Sequence, residues 1–285
     1  MSAPAQSVVP EVFAGAAYDP TAADGLVAWQ RPSGVALLAR NGGAVGLPGR
    51  NPAVAPGRVG WRDADRLWVA DATSLAPTAV YDAPGAGVFA LSDTWLAWRT
   101  SAATGDELWA RPATPDGEAR RVAAAPPPAE LGRPALVGTL LLFHHAGPCG
   151  SRIVALDLAT RRRTVLRREP GAMLTNPATD GARLLYVHAT GFTQELRIGP
   201  LRPRAAARDA AFFVAPSPGQ RDVEHEPGRG RHSSQPLPPL APRGVDDTLW
   251  TTALTSTHAY VTRLRTQRDG PRFADILRVP ALVAG

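Results

Sequence analysis

Asn176-Pro177-Ala178-Thr179-Asp180-Gly181-Ala182-Arg183-Leu184-Leu185-Tyr186, followed after a gap by Glu195-Leu196-Arg197-Ile198, is the stretch that decides the fold. Asn-Pro opens a short segment, and Asp-Gly then reverses the chain, since glycine adopts the positive φ that such tight turns demand. An apolar run ends on an aromatic, a second turn follows, and another apolar run returns. Runs of five to seven residues, rich in Leu, Val and aromatics and broken by turn residues, form strands, not helices.

The same grammar recurs on both sides of this stretch. Toward the N-terminus it reads Asp24-Gly25-Leu26-Val27-Ala28-Trp29 with Gly34-Val35-Ala36-Leu37-Leu38, then Gly57-Arg58-Val59-Gly60-Trp61 with Arg66-Leu67-Trp68-Val69-Ala70. Next come Ser92-Asp93-Thr94-Trp95-Leu96-Ala97-Trp98 with Glu107-Leu108-Trp109-Ala110, and Gly138-Thr139-Leu140-Leu141-Leu142-Phe143 with Arg152-Ile153-Val154-Ala155-Leu156. A sixth unit is Asp246-Asp247-Thr248-Leu249-Trp250 with Ala259-Tyr260-Val261-Thr262-Arg263-Leu264.

The aligned aromatics are Trp29, Trp61, Trp98, Phe143, Tyr186 and Trp250, at spacings of 32, 37, 45, 43 and 64 residues. The average of about 44 matches a four-stranded propeller blade. One bulky ring per unit suits radial packing, in which each sheet buries a face against its neighbour. Further strands fill out the units: Asn51-Pro52-Ala53-Val54, Val88-Phe89-Ala90-Leu91 and Arg133-Pro134-Ala135-Leu136 before the aromatic run, and Thr78-Ala79-Val80-Tyr81, Arg121-Val122-Ala123 and Arg163-Thr164-Val165-Leu166 after the second.

The sequence therefore predicts an all-β chain, a single six-bladed β-propeller of four-stranded antiparallel blades spanning 1–285. An N-terminal strand within Ser7–Phe13 is expected to join the last blade and close the ring, because an unpaired edge would be exposed otherwise. Ala211-Phe212-Phe213-Val214-Ala215 reads as the outer strand of blade 5. Residues 216–244, rich in Pro and Arg, read as a long inserted loop between blades 5 and 6.

Asn176-Pro177-Ala178-Thr179-Asp180-Gly181, Leu184-Leu185-Tyr186-Val187, Arg152-Ile153-Val154-Ala155-Leu156-Asp157-Leu158 and Arg162-Arg163-Thr164-Val165-Leu166 together resemble the WD40-like repeat of TolB-type propellers. The resemblance covers residues 17–201 closely and 245–285 loosely, and implies a divergent relative with a propeller fold. The family's Ser-Pro-Asp-Gly is reduced here to Thr179-Asp180-Gly181, so the role of TolB itself is not implied.

The formal charge is +6 and all 31 basic residues are arginine. That bias, with abundant Ala, Gly and Pro, reads as the codon usage of a high-GC bacterial genome. The arginines are scattered instead of interleaved with aromatics as a stacking platform requires, so nucleic acid is not the expected partner. Arg161-Arg162-Arg163 and Arg167-Arg168 read as the solvated edge of a hairpin. No run approaches the roughly 18 apolar residues of a membrane helix. Met1–Pro10 has neither a basic nor an apolar leader region, which reads as a cytoplasmic protein, exported if the true N-terminus lies upstream. The single cysteine, Cys149, sits in a Gly-Pro-Cys-Gly turn and allows no intrachain disulfide.

Candidate site residues come from the repeat itself. His145 and His188 both stand two residues after their aromatics, and side chains two apart share a strand face. Arg31, Asp63, Thr100 and Thr252 take the matching places in the other units. Arg31, Asp63, His145 and His188 are therefore the candidate ligand contacts, on a polar ring beside the turns. The segment after blade 5 adds Glu224-His225-Glu226 and His232, so His145, His188, His225 and His232 could gather as a metal site with imidazole and carboxylate ligands. Gly42-Gly43-Ala44-Val45-Gly46 lacks the helix of a dinucleotide site and reads as a hairpin turn. No nucleophile elbow, phosphate loop or paired cysteines occur, and no cofactor is expected. The function this supports is non-enzymatic, a binding or scaffold propeller presenting loops to a protein, peptide or small ligand. The alternative is a hydrolase or lyase with its site at the central channel mouth.

Overall fold

The structure is a computed structural model that describes residues 6–8, 11–12, 17–23, 25–31, 33–34, 36–40, 43–148, 150–191, 193–214, 248–265 and 273–281. Cys149, the 216–244 insertion, His225 and His232 lie outside these. Two short strands come first, β1 (Gln6–Val8) and β2 (Glu11–Val12). Blade 1 is β3 (Tyr18–Ala23), β4 (Leu26–Gln30), β5 (Ala36–Arg40) and β6 (Gly43–Gly46). The glycine-rich Gly43–Gly46 is thus an outer strand rather than a hairpin turn. Blade 2 is β7 (Arg50–Ala55), β8 (Arg58–Asp63), β9 (Arg66–Asp71) and β10 (Pro77–Asp82), and blade 3 is β11 (Phe89–Leu91), β12 (Trp95–Ala102), β13 (Gly105–Pro112) and β14 (Arg120–Ala125).

In blade 4 the inner edge is split, with β15 (Glu130–Leu131) and β16 (Ala135–Val137) both pairing with β17 (Leu140–Gly147), followed by β18 (Gly150–Asp157) and β19 (Arg163–Arg168). Blade 5 is β20 (Met173–Thr179), β21 (Arg183–Thr190), β22 (Thr193–Pro200) and β23 (Ala210–Val214), and blade 6 is β24 (Thr248–Leu254), β25 (His258–Arg265) and β26 (Phe273–Pro280). As expected, β2 supplies the antiparallel fourth strand of blade 6, with Glu11 opposite Arg278. The sequence did not foretell that β1 adds a fifth, parallel strand to blade 5, with Gln6 opposite Phe212.

Among the described residues, six apolar clusters fill the six seams between blades. Trp61 packs with Leu38 and Val54 between blades 1 and 2, Trp98 with Leu67 and Phe89 between 2 and 3, and Phe143 with Leu108 between 3 and 4. Tyr186 packs with Ile153 between 4 and 5, and Trp29 with Tyr260 and Ile276 between 6 and 1. The seam between blades 5 and 6 differs: Val261, not Trp250, takes the aromatic's place beside Val187 and Leu196. The register explains this. β24 pairs only with β25, so it is the innermost strand of its blade, and Leu254 faces Ala259 as Leu91 faces Leu96. Trp250 is 50% exposed. The sixth unit is therefore shifted by one strand, and Arg263, rather than Thr252, is the counterpart of His145 and His188.

One arginine expected at a solvated edge is instead interior. Arg167 is 1% exposed and holds Asp209 through Nε (2.5 Å) and Nη2 (3.0 Å). Its other donors reach the carbonyls of Leu166, Arg202 and Pro200. Tyr186 donates its hydroxyl to Asp209 Oδ2 at 2.9 Å, and burial followed by the Asp209 charge pushes the phenol's pKa up. Gly199 makes room: a Cβ there would lie 2.0 Å from Asp209 Oδ1. Blade 4's outer strand is thereby tied to blade 5.

Candidate functional site

Strand register aligns the six innermost strands residue by residue. Ala22, Val54, Leu91, Leu136, Thr179 and Leu254 face Val27, Val59, Leu96, Leu141, Leu184 and Ala259 on the second strands. They form one ring around the axis, one residue per blade. That ring walls a funnel of about 290 Å³ that opens on the face carrying the turns between first and second strands. Ser92, Asp93, Asp180 and Ser256 form its polar rim. Asp180 serves its own turn, accepting from the Ala182 and Arg183 amides and pairing with the Arg183 guanidinium at 2.6 Å. Gly181 sits at φ 93°, where a side chain would be strained.

Three residues deeper lies a second ring: Asp19, Asn51, Val88, Arg133, Asn176 and Thr251. The ladder slips beside four of these positions, between Tyr18 and Thr21, Arg50 and Ala53, Thr175 and Ala178, and Leu249 and Thr252. Asp19, Asn51 and Asn176 take φ of 54°, 51° and 49° there. Asp and Asn are the side chains that best tolerate this left-handed backbone, and each is followed at once by a residue that cannot or need not donate to the ladder, as in Asp19-Pro20, Asn51-Pro52 and Asn176-Pro177.

A bulge leaves its amide without a ladder partner. In three blades the residue after the aromatic position supplies one to the next blade. Gln30 Oε1 accepts from Asn51 N (2.7 Å), His144 Nδ1 from Asn176 N (3.1 Å) and Thr262 Oγ1 from Asp19 N (3.0 Å). At the same position Arg62 donates to the carbonyl of Ala86 and Arg99 to that of Leu131. In blade 5 the place falls to Val187, and Gln194 from the third strand accepts from Leu249 N at 2.7 Å instead. These polar clamps join successive blades at the axis. The sequence carried their signal, a polar residue after the aromatic in five of six units, but strand alternation alone does not say what that residue faces.

Arg133 and Asp19 come from blades 4 and 1, on opposite sides of the ring. Arg133 Nη1 lies 3.5 Å from Asp19 Oδ1, so the pair reaches across the channel. The Arg133 side chain is 12% exposed, and Nη1 has no hydrogen-bond partner among the described residues. Desolvation pulls its pKa down, Asp19 opposes this, and Arg99 adds to it. Thr251 Oγ1 donates to Asp19 Oδ1 at 3.0 Å. The funnel therefore narrows to a neck of about 60 Å³ and ends on this ion pair.

Of the residues singled out from sequence, Arg31 and Asp63 are exposed, and Asp63 faces Arg66 in its hairpin. His145 is half-buried on the blade 3 side of blade 4, whereas His188 is buried on the blade 4 side of blade 5. The sheet of blade 4 stands between their faces. His188 bonds two carboxylates, Glu169 through Nε2 and Glu195 through Nδ1, both at 3.2 Å. Arg197 joins the same two at 3.3 and 2.6 Å. Among the described residues no group of three or more His, Cys, Asp or Glu side chains is placed to hold a metal ion.

Desolvation would raise the Glu195 pKa, but hydrogen bonds from His188 and Arg197 outweigh it and hold the carboxyl below its ordinary value of 4.5. A depressed carboxylate stabilises the fold above its unfolded pKa and loses that contribution as pH falls through the folded value. Glu195→Gln is expected to lower Tm at about pH 7, and the gap to wild type is expected to narrow as pH falls below the ordinary carboxylate range. A gap that stays constant across an acid titration of thermal unfolding contradicts this role.

With the geometry in hand, the chain can be set beside solved structures. TolB from Acinetobacter baumannii superposes with a TM-score of 0.52 at 11% identity, over 90% of this chain and 63% of TolB. The fold is TolB-like. A Pyrococcus horikoshii acylaminoacyl peptidase gives 0.53 at 12% identity over 95% of this chain and 46% of the peptidase. An acylaminoacyl peptidase in complex with Z-Gly-Gly-Phe-chloromethyl ketone gives 0.52 at 12% over 90% and 46%. The TolB-like chain thus spans less than two thirds of each of these proteins. No family model and no curated protein sequence matches it. No helix among the described residues is long and apolar enough to cross a membrane.

Proposed function

We propose that the chain is a binding propeller that takes a protein loop or peptide into the axial funnel. The observation that carries this is the wall: Ala22, Val54, Leu91, Leu136 and Leu254 give an apolar socket beneath a polar rim, and five separate blades contribute to it. A concave, mostly apolar cavity with a few polar groups at its edge is what binding sites share. Its volume suits one or two side chains, which favours an inserted tip over a flat partner. Arg133 and Asp19 close the far end, so the ligand enters and leaves by one mouth. The likeness to TolB and to peptidases supports the propeller and leaves the activity to this local chemistry.

The test uses a display library of random peptides panned on immobilised protein. Wild type is expected to enrich a sequence family, and Leu136→Trp, which fills the funnel, is expected to lose it at unchanged Tm. Equal enrichment on both proteins overturns the funnel as the binding surface. Release of nitroaniline from aminoacyl or acyl-peptide p-nitroanilides by wild type, lost in Leu136→Trp, would instead establish the hydrolase alternative.

A further inference from the structure

A second cavity, of about 230 Å³, lies at the outer end of blade 4, away from the funnel, and is lined by His145, Ser151, Arg152, Arg168 and Glu169 with the β17–β18 hairpin. Its three nitrogen-bearing side chains stand in a row across adjacent strands. His145 faces Arg152, and Arg152 faces Arg168. Like charges directly opposite on a sheet repel, and no ion pair to Arg152 or Arg168 exists among the described residues. Arg152 Nε is buried without a hydrogen-bond partner among the described residues. The nearby acid, Glu169, is already shared by His188 and Arg197.

Such a row offers unneutralised positive charge to an external anion. We propose that this pocket binds a phosphate group, with Arg152 and Arg168 as its two guanidinium contacts and His145 as the third. Two planar forks and an imidazole match the three oxygens of a tetrahedral dianion better than the two of a carboxylate. The cavity exceeds the size of phosphate alone, which favours a small phosphomonoester over the free ion. Desolvation first, then Arg152, Arg163 and His144, hold the His145 pKa down. A bound dianion opposes those cations, with Arg168 and Glu169 the other charges lining the pocket, so occupancy raises the His145 pKa.

Sodium phosphate and glycerol 3-phosphate are titrated separately at constant ionic strength, by calorimetry and by proton NMR of the His145 ring. Saturable one-to-one binding and an upward-shifted His145 titration are expected, with at least tenfold weaker binding in Arg152→Met and Arg168→Met and none of that loss in Arg66→Met. Tighter binding of glycerol 3-phosphate identifies a phosphomonoester site, and tighter binding of phosphate identifies a site for the free ion. An unmoved His145 titration in wild type, or affinity retained in folded Arg152→Met, overturns the proposal. Because the funnel is remote from this pocket, neither result bears on peptide binding there.

Discussion

Arg167→Met is expected to destabilise the fold by about 3–5 kcal/mol, as removal of one member of a buried ion pair generally does. All five guanidinium donors are engaged, two of them by Asp209. The variant leaves Asp209 in the interior with Tyr186 and Arg204 as its remaining partners. Asp209→Ala should be at least as damaging, since it strands the guanidinium. The double variant Arg167→Met with Asp209→Leu should recover a good part of the loss, because a pair replaced whole leaves no charge stranded in the interior and the other partner, Arg204, is 24% exposed at its side chain. Urea unfolding of the three proteins measures this. Single variants within about 0.5 kcal/mol of wild type would mean that solvent reaches the pair.

Phe143→Ala is expected to cost about 3–5 kcal/mol, the range for emptying a fully packed aromatic site. Phe143 is 0% exposed and fills the seam between blades 3 and 4. Trp250→Ala, at a position of similar appearance in the sequence, should stay within about 0.5 kcal/mol. Its one described hydrogen bond is accepted by the backbone carbonyl, from Asn176 Nδ2, and survives the substitution. Equal costs for the two variants, read by denaturant midpoint, would return Trp250 to a seam and undo the strand shift in blade 6.

That contrast shows where the sequence was legible. Five of six wedge residues could be aligned because each ends an apolar run just after a turn containing Gly or Asp. The sixth failed because blade 6 carries Val261 at that place, while Trp250 happens to end a similar run on the strand before. A period of two distinguishes the faces of a strand but not an inner strand from its neighbour. The central channel could be anticipated as a place for function. Its floor could not, since Asp19 and Arg133 meet only after three blades have turned the chain to the opposite side of the ring. The clamps at Gln30, His144 and Thr262 showed only as polar residues at a repeated place, because their partners are bulged amides on the next blade. His145 and His188 were found by their repeat position, yet only the structure separates the imidazole tied to two carboxylates from the one left among arginines.

The pairing of Glu11 with Arg278 also sets a timetable for synthesis. Roughly 270 residues lie between them, and at about 5–20 residues per second the earlier partner waits for tens of seconds on the ribosome. During that interval the nascent ring is an open arc, with β26 not yet made and the first strands unclaimed. The partner of Gln6–Val8, β23, is made sooner, ahead of β24, β25 and β26. The parallel strand on blade 5 can thus hold the N-terminus beside the gap, so that the last blade meets its closing strand already delivered.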